Sequence, residues 1–285
     1  MTNQSWTTGV VAASDGYALT HRKYESANPE GPVVACVHGI QSHAGWYEKS
    51  CRHFADAGFT TYFFDRRGSG ANTIDRGHAS GPFRLMDDLR VCLTFLRESH
   101  PSSPLVMTAI SWGGKVAAAT LADHPALADG LILVAPGFRP KVRPSLGDQV
   151  RIATSTLFNP RRMLPVPLSD PSLFTSVPAG IRFIENDPLS VRFASARLLF
   201  SSRILDIRLA RRAKRIAHPT LLVLASEDRI IDNEKTRSFV NRFASKDVEV
   251  IEFQGGHTLE FEPDPIPFFD SMVAWIEKRF SSRSQ

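Results

Sequence analysis

The chain has 285 residues, of which 42% are hydrophobic and 22% are charged. This composition fits one sizeable hydrophobic core and excludes a disordered chain. No stretch approaches the roughly 18 apolar residues of a membrane-spanning helix, and residues 1–16 contain no Lys, no Arg and no apolar run typical of a signal peptide. We therefore expect a soluble, cytoplasmic protein.

The net charge of +5 is unevenly distributed. Residues 139–215 hold 15 Lys and Arg against 5 Asp and Glu, whereas the rest of the chain has 19 against 24. This basic segment indicates either a solvated helical surface or the attraction of an anionic partner. The candidate partners are an anionic membrane surface, a lysophospholipid head group, and an acyl carrier or coenzyme A thioester. No recognition motif accompanies the charge, so we expect no nucleic-acid binding.

The predicted elements begin with a hairpin, residues 8–13 and 17–24 around a Ser-Asp-Gly turn. Short continuous apolar runs follow, and such runs are typical of strands buried on both faces of a parallel sheet. They begin near residues 32, 60, 105, 131, 220 and 248, and helices are predicted over residues 47–57, 86–97, 114–122 and 267–280. This alternation predicts the α/β class, with a mostly parallel sheet flanked by helices.

Residues 139–209 interrupt the alternation, because they contain eight prolines and no buried-strand run. An insertion of this size between two strands fits a mainly helical cap over the sheet. We therefore predict a core of residues 1–138 and 209–285 and an inserted cap of residues 139–208. Apolar residues of the cap, such as Leu157 and Phe158, have two open interpretations: they line an acyl tunnel, or they pack the cap against the core.

A serine follows the predicted strand that begins near residue 105. The sequence Ala109-Ile110-Ser111-Trp112-Gly113-Gly114 leads from a strand end through small residues into a helix. This is the context of a nucleophile elbow, a sharp turn that holds a Ser hydroxyl above the sheet. Ala109 stands where the usual pattern has Gly, and a serine at a helix N-cap would explain the same residues.

Two further polar residues lie just beyond predicted strands. A Ser hydroxyl needs a base, and the base needs an acid that fixes its tautomer. Asp228 follows the fifth predicted parallel strand, with Glu227 and Asp232 as rival acids, and His257 follows the sixth strand and a Gly-Gly loop. The order Ser, Asp, His at three strand ends predicts a catalytic triad of Ser111, Asp228 and His257.

The loop after the first predicted parallel strand supplies the remaining part of the site. An oxyanion hole needs two backbone N–H groups aimed at the developing negative charge. We expect one from Trp112, the residue after the nucleophile, and the other from Ile40. His38 and Gly39 are expected to shape this loop. The chemistry requires no metal and no cofactor.

Five segments carry a resemblance: His38–Tyr47, Asp65–Gly70, Ser226–Asp232, Gly256–Leu259 and, more weakly, Asn186–Leu189. They resemble motifs of the monoacylglycerol lipases and related lysophospholipases of the α/β-hydrolase superfamily. Gln41-Ser42 stands where that family has Gly-Glu, and Ser69 where it often has His. The resemblance implies a serine hydrolase of lipid-like esters, which works through an acyl-enzyme on Ser111 beneath a cap that shapes the acyl pocket.

Two alternatives remain open. The same triad would serve a thioesterase or an acyltransferase, with the acceptor decided by the cap. The chain could instead be a non-catalytic binding protein of the same fold, although such a protein has no need of all three triad residues.

Overall fold

The computed structural model describes residues 6–281, and a sheet of eight strands runs through their centre. Two further strands form a separate pair. In chain order the ten strands of residues 6–281 are β1 Thr7–Ala12, β2 Ala18–Tyr24, β3 Val33–Val37, β4 Thr60–Phe64, β5 Leu105–Ile110, β6 Gly130–Val134, β7 Met163–Pro165, β8 Phe193–Ser195, β9 Thr220–Ala225 and β10 Val248–Phe253. The helices are α1 Glu48–Asp56, α2 Pro82–Ser99, α3 Gly113–Asp123, α4 Leu146–Phe158, α5 Pro178–Asn186, α6 Ala196–Arg212, α7 Asn233–Val240 and α8 Ile266–Phe280.

The strand order across the sheet is β1-β2-β4-β3-β5-β6-β9-β10. The predicted hairpin is confirmed, because β1 pairs antiparallel with β2, and β2 pairs antiparallel with β4. All other neighbours in this sheet are parallel. Every residue of β3, β4, β5, β6 and β9 is buried, as the continuous apolar runs predicted. The α/β class and the mostly parallel sheet are therefore confirmed.

Two helices differ from the sequence prediction. Helix α2 begins at Pro82 rather than near residue 86, because proline is well suited to a first helical position. Helix α7 was not predicted. It has only eight residues, and three of them are buried, so its apolar periodicity is weak. Its N-cap is Asp232, which accepts a hydrogen bond from the N–H of Lys235.

The inserted segment is mainly helical, with α4, α5 and most of α6. It also contains β7 and β8, which form a separate antiparallel pair of three residues each. Helix α6 continues to Arg212, four residues beyond the predicted cap boundary, so the division into cap and core stays a prediction. Residues 1–5 and 282–285 of the predicted core lie outside the described residues.

Helices α4 and α6 are attached to the rest of the molecule differently. Helix α6 packs against α3, where Lys115 Nζ lies 2.7 Å from Asp206 Oδ1. Helix α4 packs on α6 through Ile152, which clusters with Leu164 and Ala196. Within residues 6–281, no helix combines the length and apolarity needed to cross a bilayer.

Candidate active site

Ser111 occupies a strained turn between β5 and α3. Its φ angle is 51°, in the left-handed region that a residue with a Cβ rarely adopts. The turn is held by three backbone hydrogen bonds: Ser111 N–H donates to Val134 O at 2.9 Å, and Ser111 O accepts from Gly114 N–H at 2.9 Å and Gly137 N–H at 2.8 Å. The surrounding structure therefore fixes the strained conformation that a nucleophile elbow requires.

Gly113 permits a close approach of two chain segments beside Ser111. A Cβ at position 113 would overlap the carbonyl oxygen of His38, and a Cβ at Gly39 would lie 3.2 Å from Ser111 Cβ. The elbow and the loop after β3 are therefore in near contact through their backbones. Position 109, in contrast, is a buried strand residue, and it accommodates the methyl group of Ala109.

The structure brings the three predicted triad residues together. His257 Nδ1 lies 2.7 Å from Asp228 Oδ2, and His257 Nε2 lies 2.8 Å from Ser111 Oγ. Because a carboxylate only accepts hydrogen bonds, Nδ1 carries the imidazole proton and Nε2 accepts from the Ser111 hydroxyl. All three residues are buried. This is the geometry in which an imidazole can remove the serine proton.

Asp228, and not either rival acid, contacts the histidine. Its Oδ1 accepts hydrogen bonds from the N–H groups of Ile230 at 2.7 Å and Ile231 at 2.9 Å, which orient the carboxylate. Glu227 is exposed and hydrogen-bonds the side chain of Gln254, while Asp232 caps α7. The conformation of the loop after β9 shows which of the three carboxylates contacts His257. Their spacing along the sequence could not distinguish them.

The N–H groups of Ile40 and Trp112 are free to bind a ligand. Within residues 6–281, neither donates a hydrogen bond to another protein group. Trp112 immediately precedes α3, so its N–H lies at a helix N-terminus, where the helix dipole favours negative charge. Arg66 Nη2 holds the carbonyls of Gly39 at 2.7 Å and Ile40 at 2.9 Å. Two backbone N–H groups without a protein acceptor are the donors that an oxyanion hole requires.

His38 forms hydrogen bonds within the loop after β3 and to Arg66, and it does not hydrogen-bond Ser111 Oγ. Its Nδ1–H donates to Gly39 O at 2.8 Å, and its Nε2 accepts from Arg66 N–H at 3.0 Å. Burial lowers the pKa of His38 well below 6.5, so the ring is neutral at physiological pH. Burial also lowers the pKa of Arg66 to about 10, which leaves its guanidinium protonated.

Three residues near the site had no assigned role from the sequence. Arg66 lay inside a recognised motif, but its contacts with the loop carbonyls depend on tertiary structure. Phe174 packs edge-on against His257, with 6.0 Å between ring centroids. Asp187, also inside a motif, binds His43.

Two of the apolar cap residues, Leu157 and Phe158, are 77% and 86% exposed, so neither lines an internal tunnel in this structure.

The family of the chain follows from comparison with known proteins. The family model described as "Serine aminopeptidase, S33" matches residues 28–264, which is most of the chain. The chain is an α/β-hydrolase. Within residues 6–281, this α/β-hydrolase has no group of three His, Cys, Asp or Glu side chains that could hold a metal ion.

Relatives of this α/β-hydrolase include several monoacylglycerol lipases. It is 28% identical over 254 residues to the monoacylglycerol lipase of Mycolicibacterium smegmatis, covering 87% of this chain and 89% of that protein. Identity to the human monoglyceride lipase is 22% over 275 residues, covering 93% and 89%. The crystal structure of the Paleococcus ferrophilus monoacylglycerol lipase is 25% identical, with a TM-score of 0.81 over 91% of this chain and 98% of that one. The chain therefore belongs to a monoacylglycerol lipase-like family of α/β-hydrolases.

Proposed function

We propose that the protein is a serine hydrolase that cleaves carboxylic esters of the monoacylglycerol or lysophospholipid type. The observation that carries this proposal is the continuous hydrogen-bonded chain from Ser111 Oγ through His257 to Asp228, on a serine with a φ of 51°. The names of the relatives support a monoacylglycerol as the substrate class.

The reaction would proceed in two acyl-transfer steps. His257 Nε2 takes the Ser111 proton as Oγ attacks the acyl carbonyl, and the imidazolium is stabilised by Asp228. The N–H groups of Ile40 and Trp112 bind the oxyanion of the tetrahedral intermediate. His257 then protonates the leaving alcohol, the ester C–O bond breaks, and an acyl-enzyme remains on Ser111. Water, deprotonated by His257, cleaves the acyl-enzyme and regenerates the free serine.

The first experiment is labelling with a fluorophosphonate probe, in the wild type and in Ser111→Ala. We expect labelling of the wild type alone, with both proteins equally folded by circular dichroism. Wild-type protein that is folded but unlabelled would contradict the proposal and favour a non-catalytic binding protein. Turnover of monoacylglycerols, lysophospholipids and acyl thioesters, with and without an added alcohol acceptor, then separates ester hydrolysis from thioester hydrolysis and acyl transfer.

The outer face of α4 supports a second part of the proposal, namely peripheral contact with an anionic phospholipid membrane. Leu146, Val150 and Leu157 are 82%, 63% and 77% exposed and fall within about 40° of arc on the helix, at 100° per residue. The opposite side buries Ile152, Ser155 and Thr156. A helix with an apolar face turned to solvent is typical of a peripheral membrane contact.

Basic residues lie within α4 and on both sides of it in the sequence. Arg143, Arg151 and Arg162 are exposed and form no ion pair within residues 6–281. Part of the remaining basic charge is paired within the molecule, since Arg161 binds Asp75 and both Arg208 and Arg212 bind Asp123. The charge of Arg143, Arg151 and Arg162 is thus available to bind phospholipid head groups.

Co-sedimentation with phospholipid vesicles tests the membrane contact. We expect the wild type to bind vesicles rich in phosphatidylserine more tightly than pure phosphatidylcholine, and the double variant Leu146→Ser/Leu157→Ser to lose binding to both. Val10→Ser is the matched control, because Val10 is an exposed apolar residue on β1. Equal binding by the double variant and the control would contradict the proposed contact.

A further inference from the structure

A buried carboxylate of the cap binds the loop that carries the proposed oxyanion hole. Asp187 follows α5, and its Oδ2 accepts three hydrogen bonds: from His43 Nε2 at 3.0 Å, Trp46 Nε1 at 2.7 Å and Ser190 Oγ at 2.7 Å. Its Oδ1 accepts a fourth from Leu189 N–H at 2.9 Å. Two of the four donors thus belong to the segment that follows Ile40.

The orientation of His43 is fixed at both ring nitrogens. Its Nδ1 accepts from Gly45 N–H at 3.0 Å, so Nε2 carries the proton and donates to Asp187. Burial alone would raise the pKa of Asp187, but the hydrogen bonds from His43, Trp46 and Ser190 hold that pKa below its usual value. Asp187 is therefore ionised at physiological pH, and it forms charge-assisted hydrogen bonds, which are stronger than neutral ones.

A second contact joins the same two segments nearer to Ile40. Val191 N–H of the cap donates to Gln41 O at 2.9 Å. On the other side, Arg66 of the core binds the carbonyls of Gly39 and Ile40. The loop that presents the Ile40 N–H is thus held by core side chains at residues 39 and 40, and by the cap at residues 41, 43 and 46.

We propose that Asp187 is a positioning residue, through which the cap fixes the loop of residues 38–46 so that the Ile40 N–H is aimed at the oxyanion. The proposal rests on the proposed function of Ser111 as a nucleophile. An oxyanion-hole donor contributes most when it is already oriented before reaction, so loosening the loop lowers stabilisation of the tetrahedral intermediate more than it lowers substrate binding.

Asp187→Asn is the decisive variant, because it removes the negative charge that strengthens the hydrogen bonds from His43 and Trp46 and places an NH2 group against one set of N–H or O–H donors. We expect kcat on a soluble p-nitrophenyl ester to fall about 10- to 100-fold, with KM changed less than about threefold. The affinity for an alkyl trifluoromethyl ketone, which forms a tetrahedral adduct, should fall by the same factor as kcat.

Arg161→Gln is the matched control, because it removes another ion pair between inserted segment and core, with Asp75, without touching the loop. It should leave kcat, KM and ketone affinity unchanged. If Asp187→Asn does not fold, His43→Ala and His43→Gln test the same link. The glutamine amide can replace the Nε2–H donor, so kcat should fall in His43→Ala and recover in His43→Gln.

Two results would overturn the inference. One is an unchanged kcat and ketone affinity in folded Asp187→Asn, and the other is a rise of KM alone, which would assign Asp187 to the substrate pocket. Both are distinct from failure of the proposed function, because wild-type protein that fluorophosphonate does not label at Ser111 fails before the variants are compared.

Discussion

Helices α4 and α6 lie in neighbouring parts of the inserted segment but differ in what they contact. Helix α6 buries Leu205 and Leu209, and its Asp206, Arg208 and Arg212 bind core residues. Within residues 6–281, no side chain of α4 forms a hydrogen bond or ion pair with the core, and its Leu146, Val150 and Leu157 face solvent. Helix α6 is therefore anchored to the core by side-chain contacts, whereas the exposed apolar face of α4 is available to contact a partner.

Because of this difference, we expect substitutions in the two helices to have different effects on the triad. Helix α6 leads through a short turn into β9, and Asp228 lies just beyond the end of β9. A movement of α6 would therefore disturb the strand that presents the triad acid. In the described part of the chain, helix α4 has no side-chain hydrogen bond or ion pair with the core, so we expect substitutions in α4 to affect the triad less than substitutions in α6.

The largest expected effect is the loss of kcat on substitution of Asp228, the triad acid that follows β9. Asp228→Asn should lower kcat about 10⁴-fold, because the amide favours the wrong imidazole tautomer. Steady-state hydrolysis of a soluble p-nitrophenyl ester measures this change, with circular dichroism as the check on folding. Full activity in the variant would mean that another carboxylate orients His257, with Glu227 the first to test.

The next largest effect should come from the buried ion pair between α3 and α6. Lys115 is almost fully buried, and it lies 2.7 Å from Asp206 and 3.0 Å from Ser202 Oγ. Asp206→Ala should lower the free energy of unfolding by about 4 kcal/mol, because it leaves a buried ammonium without its partner. Urea unfolding measures the loss, and the double variant Lys115→Met/Asp206→Leu should recover most of it.

A matched pair of leucines compares the two helices directly. Leu205 of α6 is 0% exposed, whereas Leu157 of α4 is 77% exposed. Leu205→Ala should cost about 3 kcal/mol of unfolding free energy, and Leu157→Ala should stay within about 0.5 kcal/mol. Thermal or urea unfolding of the two variants decides the comparison. Similar losses in both would show that the side chain of Leu157 is buried in solution.

The smallest of these effects is the contribution of one buried core residue, Glu260, to the pH dependence of the unfolding free energy. Glu260 lies in a buried cavity beside His257, and burial raises its pKa to about 7 from 4.5. The folded protein then holds a proton on Glu260 that the unfolded chain has released, so the contribution of Glu260 to stability falls as pH rises from about 4.5 to about 7. This contribution should fall by about 2 kcal/mol between about pH 5 and about pH 7, while the lowered pKa of His38 acts in the opposite direction.

Glu260→Gln should remove this contribution, because an amide does not titrate and can still accept the hydrogen bond from Ser50 N–H, at 2.9 Å in the wild type. The difference in unfolding free energy between wild type and variant should therefore change by about 2 kcal/mol over the same pH range. Urea unfolding at several pH values provides the measurement. Glu98→Gln, at an exposed position, should keep the wild-type pH dependence. A pH dependence of the unfolding free energy that is the same in Glu260→Gln and in the wild type would contradict the prediction.

The sheet could be predicted from the sequence because its parallel strands are buried on both faces. That burial demands continuous apolar runs, and β3, β5, β6 and β9 all have them. Ser111, Asp228 and His257 could be predicted to meet for a related reason. Parallel strands end at the same edge of a sheet, so polar residues that follow them converge there.

The remaining features depend on contacts that no local pattern encodes. His43 and Asp187 are 144 positions apart, and nothing near either residue indicates the other. Strands β7 and β8 have three residues each, too few to show a period. Leu157 and Leu205 are the same residue type in helices, and only the packing of each helix decides which one is exposed.

Gly113 has a consequence for redesign of the enzyme. Because its Cα faces the His38 carbonyl without space for a methyl group, the gap between elbow and loop is set by main chain rather than by side chains. A mutant library intended to admit bulkier acyl groups gains nothing from diversity at position 113, where every substitution would push the two backbones apart. Substitutions in the predicted cap would leave this backbone contact intact.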